Sequence, residues 1–180
     1  DTLIGARDRA LLLVGFAGAF RRSELVALDV ADVEVTTDGL VVTLRRSKTD
    51  QEGEGRKVGL PYGSHPETCP VRSLRAWLDM SGIENGRLFR SVTRHGELGD
   101  SLSDKAVALV VKRTAKAAGM DPTRFSGHSL RSGLATSAAA GGASERAIMR
   151  QTGHKSVAMV RRYIRDGSLF RDNAAAKVGL

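Results

Sequence analysis

Cysteine is nearly absent from this chain: Cys69 is the only one. No internal disulfide can form, and a reducing compartment such as the cytoplasm is expected. Long hydrophobic runs are missing too. The most apolar stretch, ALLLVGFAGAF from Ala10 to Phe20, is too short to cross a bilayer. It reads as a buried core helix, so no membrane partner is expected, and no signal peptide is recognisable. Acidic residues are in deficit, 20 Asp and Glu against 28 Lys and Arg, which leaves a formal charge of +8 and a pI near 10.2. Such a surplus argues against an acidic surface and for a polyanionic partner, most often nucleic acid. A zinc set is lacking as well. His65 and Cys69 in HPETC have ligand-like spacing, but no second pair completes them, and a proline-bounded turn explains both. No metal or other cofactor is expected. Aromatics make up only 4% of the residues, with two tyrosines. One of them, Tyr163, stands in GHKSVAMVRRYIRD, among Arg161, Arg162 and Arg165 and nine positions after His154.

What is present reads as one globular domain: 180 residues, 41% hydrophobic and 27% charged. The start at Asp1 rather than methionine suggests a piece of a longer chain. The spacing predicts a helix over about 5–19, ended by AFRRSEL, and then a short helical turn. DVEVTT and LVVTLRR, separated by a DG step, predict paired antiparallel strands, and RKVGLP a third. PVRSLRAWLDMSG predicts an amphipathic helix stopped at Gly82. Four more helices follow: one capped by Ser103 and ended by Gly119, one capped by Ser126 and closed by Gly141 and Gly142, a short one capped by Ser144, and one carrying Tyr163. The expected fold is α+β and mostly α-helical, a single domain with a small three-stranded antiparallel sheet near its start.

Several positions have side chains suited to phosphate chemistry. In HSLR, His128 and Arg131 stand three apart, a spacing that shares one helix face; an imidazole passes protons near neutral pH and a guanidinium grips phosphate with a fork. A satisfied surface pair would look the same. Arg21 and Arg22 in FRRSEL suit the negative end of a helix, or form a second phosphate fork with Glu24 orienting it. Lys48, in SKTDQEGEG between two expected strands, is either a solvated charge or an ammonium carried into a groove. A phenol is a weak nucleophile unless cations help it ionise, and the cations and histidines around Tyr163 could cage a phosphorane without metal.

The order Arg in FRRSEL, Lys in SKT, HSLR, then GH and a tyrosine nine residues on resembles the catalytic domain of the tyrosine recombinases, the phage integrase family. The resemblance runs over nearly the whole chain and implies a fold, an activity and roles. Arg21 and Arg131 would bind the scissile phosphate, and Lys48 would protonate the leaving 5′-oxygen. His128 would move the tyrosine's proton, His154 would hydrogen-bond the phosphate, and Tyr163 would be the nucleophile. Glu24 would support Arg21. The implied reaction is transesterification through a 3′-phosphotyrosyl link, without metal or nucleotide cofactor. Double-stranded DNA would be the partner, contacted by Arg22, Arg45, Arg46, Arg124, Lys155, Arg161 and Arg162, with four copies assembling on it and the free protein monomeric. Residues 1–166 would form the catalytic domain and 167–180 a tail, with Leu169, Phe170 and Val178 docking in cis or on a neighbouring subunit. Nothing here corresponds to the DNA-clamp domain that precedes this one in the family.

Two alternatives stand beside that reading. SERAIMRQTGHKSVAMVRRYIR also reads as helix, turn, helix with a basic second helix, a binding module without catalysis. A type IB topoisomerase would share the chemistry. Arg94-His95-Gly96, a tripeptide used by histidine phosphatases, lies mid-chain in a turn-like segment, where that chemistry is not expected.

Overall fold

A computed structural model describes residues 2–45 and 55–167, with side chains through Ile164. Helix α1 (Leu3–Ala17) begins where the Thr2 hydroxyl accepts the Gly5 N–H. It buries Ala10, Leu11 and Val14 completely. The short helix α2 (Arg22–Ala27) follows a turn in which Ala19, a residue with a Cβ, takes a left-handed φ of +50°.

Strands β1 (Val33–Val35), β2 (Gly39–Leu44) and β3 (Arg56–Pro61) form one antiparallel sheet in that order. Val33 pairs with Val42, and Val42 with Val58. The period of two puts Leu40, Val42, Leu44, Val58 and Leu60 on one buried face. That face and α1 enclose the core together with α3 (Pro70–Ser81), whose Trp77 is fully buried and donates its indole N–H to Leu88 O at 2.9 Å.

Helix α4 (Asp104–Ala117) is capped by Ser103 as expected and packs on the main core through Val107 and Val110. Helices α5 (Ser129–Ala140), α6 (Glu145–Thr152) and α7 (Val157–Gly167) build a second, smaller cluster around Ala135, Ala139, Ile148 and Val160. The two clusters meet at α1 and α5. A Cβ on Gly15 would stand 2.8 Å from Leu130 Cδ1, so a larger residue there would make that leucine shift.

Two local expectations need correction. Ser126 does not cap α5; His128 occupies the N-cap position, and the Ser126 hydroxyl accepts His128 N–H inside the preceding turn. Arg21 and Arg22 do not close α1, which ends at Ala17. They open α2, at the positive end of a helix dipole, so the dipole gives no reason for a cation there. Arg94-His95-Gly96 is an exposed turn, as its setting suggested. Among the described residues no group of His, Cys, Asp and Glu could hold a metal ion, and no helix is long and apolar enough to cross a membrane.

Candidate active site

The α1–α2 turn supplies the first part of the site. Arg21 is held in place by Glu24, whose carboxylate accepts the Arg21 backbone N–H at 2.8 Å and its Nη1 at 2.6 Å. Glu24 is buried, so this pairing fixes the guanidinium while offsetting part of its charge. The same turn presents Ala19 O, which accepts Arg131 Nη1 at 2.9 Å.

Arg131, in the first turn of α5, is 1% exposed. Among the described residues its Nε and Nη2 are buried without a hydrogen-bond partner. Burial, and then the charge on Arg21, push its pKa down to about 10. A guanidinium desolvated beside another cation, with two nitrogens unmet among the described residues, is arranged to receive an anion.

His128 and α7 add the reacting pair. His128 Nε2 and Tyr163 Oη lie 3.3 Å apart, within reach for proton exchange. The Tyr163 ring also stacks on His154, with centroids 5.9 Å apart. Burial first, and then Arg131 and Arg21, lower the pKa of His128, so its imidazole is neutral and basic at pH 7. His154 is pushed further, to about 4, by burial and by the charges of Arg131, Arg21, His128 and Arg56. It follows Gly153, whose φ of +68° is left-handed, and a Cβ there would lie 2.8 Å from Arg56 Cζ.

Arg56 is a member of the cluster that the sequence reading missed. Its Nη1 donates to Arg150 O and Gln151 O, and its Nη2 to Thr152 O at 3.4 Å, so it closes the carbonyl end of α6. Burial lowers its pKa and so does Arg21, with Glu24 acting the other way. A signal was available: Arg56 shares strand parity with the buried Val58 and Leu60, an odd place for a solvated cation. Thr152, fully buried at the end of α6, was also missed.

Of the expected site residues, Arg21, Glu24, His128, Arg131, His154 and Tyr163 therefore converge. Lys48 and Arg46 lie outside the described residues, on the segment that joins Arg45 to Gly55. Arg45 borders an open cleft of about 620 Å³ that Arg21 and Glu24 also line. The expected DNA contacts are less uniform. Arg22 pairs with Asp104 and Arg161 with Glu145 on the surface, while Arg45 reaches the buried Asp32 and the half-buried Asp29. Arg124, Lys155 and Arg162 are exposed.

Comparison with known proteins points the same way. Residues 2–168 match the phage integrase family. The chain is 49% identical over 175 residues to an integrase/recombinase XerD homologue of Selenomonas ruminantium, covering 97% of this chain and 51% of that protein. It is 32% identical over 165 residues to the tyrosine recombinase XerC of Xanthomonas campestris, covering 91% and 45%. The chain thus spans about half the length of these relatives. The fold resembles that of XerH site-specific recombinase in a post-cleavage complex with a palindromic difH substrate (TM-score 0.74, 20% identity, 99% of this chain and 46% of that one). It also resembles XerA recombinase, with a TM-score of 0.67, 24% identity, and coverage of 98% and 57%.

Proposed function

Because the chain belongs to the phage integrase family, we propose that it is the catalytic domain of a site-specific DNA recombinase that breaks and rejoins strands through Tyr163. The observation that carries this reading is the buried Arg131, with two nitrogens unmet, beside a tyrosine whose hydroxyl lies 3.3 Å from a neutral histidine.

In the first step Tyr163 Oη attacks the scissile phosphorus and His128 Nε2 takes the phenolic proton. The bond from phosphorus to the 5′-oxygen breaks, and Lys48 supplies the proton that oxygen needs. Arg21 and Arg131 hold the non-bridging oxygens, and His154 adds a further hydrogen bond. The product is a 3′-phosphotyrosyl link and a free 5′-hydroxyl. Attack of a 5′-hydroxyl on that link reverses the step and joins the strand, so no nucleotide cofactor is consumed. The protein's contribution is positioning and a fixed positive field where charge develops. The partner is double-stranded DNA inside the cell, on which copies of the protein assemble as a tetramer. Residues 167–180 would form a tail that docks in cis or on a neighbouring subunit.

The test is a randomised pool of nicked suicide duplexes, incubated with the protein in EDTA and resolved under denaturing conditions. A covalent protein–DNA band is expected that Tyr163→Phe abolishes while still shifting DNA in a native gel. A band that survives Tyr163→Phe, or one that requires a divalent metal, would overturn the proposal. A binding module would shift DNA and never become attached to it.

A further inference from the structure

The contact that decides how His154 can act is made by Thr152. The Thr152 hydroxyl oxygen lies 2.8 Å from Ile148 O and 2.8 Å from His154 Nδ1. A hydroxyl has one proton to give. A carbonyl can only accept, so a proton directed at His154 would leave Thr152 Oγ1 and Ile148 O facing each other without one between them. The proton therefore goes to Ile148 O, as is usual for a threonine within a helix. Thr152 Oγ1 then accepts from His154, and the ring proton sits on Nδ1.

We propose that Thr152 is a positioning residue that holds neutral His154 in the Nδ1–H tautomer, so that His154 can donate to a bound phosphate only after Nε2 takes up a proton from solvent. The inference rests on the phosphate-binding reading of the site and says how one of its donors is loaded. Neutral His154 offers a lone pair at Nε2 and would repel an oxyanion. The protonated ring donates at both nitrogens, keeping Thr152 and gaining the anion.

The charges around the ring set the exchange. Arg131 on α5, Arg21 before α2, Arg56 on β3 and His128 at the α5 N-cap all act on His154, and Tyr163 on α7 stacks against it. Glu24 on α2 offsets Arg21. With no anion bound, these cations and burial keep the imidazole neutral. An anion bound among the arginines cancels their field and lets the proton on. Arg56 keeps the geometry by tying Thr152 O and the end of α6 to the sheet.

Nitrogen-15 NMR of the imidazoles tests this without any cleavage. The resonance is assigned by its loss in His154→Gln. At pH 7 the DNA-free protein is expected to show a pyrrole-like Nδ1 and a pyridine-like Nε2 for His154. Thr152→Val should move the proton to Nε2, and Thr152→Ser should restore the first pattern and control for folding. Inorganic sulfate, a tetrahedral anion that does not itself titrate in this range, should raise the His154 pKa by roughly 1–3 pH units. A wild-type ring that already carries its proton on Nε2, or a Thr152→Val ring that keeps it on Nδ1, overturns the assignment. A His154 pKa that does not rise while sulfate perturbs the Arg131 guanidinium signals overturns the proton uptake. Sulfate that perturbs neither residue, with the tautomer as stated, would count against the phosphate site rather than against Thr152.

Discussion

Replacing Arg131 by methionine is expected to make the protein more stable and nearly inactive. The guanidinium is 1% exposed, and its Nε and Nη2 have no partner. A buried donor left unmet costs about 1–3 kcal/mol, so two such nitrogens cost roughly 2–6 kcal/mol. The acidity gives the same scale: a fall from the ordinary arginine range to about 10 corresponds to about 3 kcal/mol held against the charged form in the folded chain. Both the folded and the unfolded chain carry this proton at pH 7. The cost is therefore fully present at neutral pH and is relieved only as pH rises above about 10. Methionine would remove it but lose the Nη1 bond to Ala19 O, returning about 1–2 kcal/mol. The net expectation is a gain of about 1–2 kcal/mol, read as a higher urea midpoint with an unchanged slope. Cleavage should fall by roughly 10²–10³. Sulfate should narrow or reverse the stability difference, because an anion that meets the two nitrogens stabilises only the arginine protein. A methionine variant less stable than wild type, with sulfate acting equally on both, would refute the reasoning that this guanidinium is kept unsatisfied for a ligand.

Two further expectations follow from the histidines. His154 sits at about 4 when folded against an ordinary 6.5, so the unfolded chain binds the extra proton first and stability falls as pH drops through that window. The loss is about 3 kcal/mol, measurable by denaturant unfolding at a series of pH values; a His154→Gln protein with the same acid slope would contradict it. If His128 takes the Tyr163 proton as proposed, its lowered pKa means that the cleavage rate should drop on the acid side, with a midpoint under 6.5. A single-turnover pH profile on a suicide duplex checks this, and an acid limb unchanged in His128→Gln would assign it elsewhere.

The sequence carried most of the fold because local signals agreed with one another. The RKVGLP strand, the Gly82 stop and the caps at Ser103 and Ser144 all stand where composition and spacing placed them. The site was readable in part. Arg21, His128, Arg131, His154 and Tyr163 were singled out because a resemblance ordered them, whereas each pair alone had a bland explanation. One of those explanations fails on geometry, since Arg21 opens α2 rather than ending α1. Arg56 escaped because its role depends on a partner nearly a hundred residues away, the carbonyl end of α6, and no local pattern encodes that distance. Thr152 escaped for a related reason: a threonine near a helix end is ordinary until the ring it touches is known.

The charge balance of the cluster bears on what it stabilises best. Arg21, Arg56 and Arg131 share one field, and Glu24 is the carboxylate that acts on both Arg56 and Arg131. Burial first, and then that field, keep both histidines neutral at pH 7. A phosphodiester carries a single negative charge, which leaves the cations under-compensated when substrate binds. Attack by a phenolate raises the negative charge on the phosphoryl oxygens and matches the surplus more closely. Interactions that strengthen on the way to the transition state lower the barrier, whereas those already complete in the bound substrate do not. In the proposed reaction, a site left unsatisfied at rest, with Arg131 short of partners and His154 short of a proton, would keep its strongest bonds for the pentavalent state. The cost appears as lost stability in the empty protein, which is why the methionine variant at Arg131 should gain what the reaction loses.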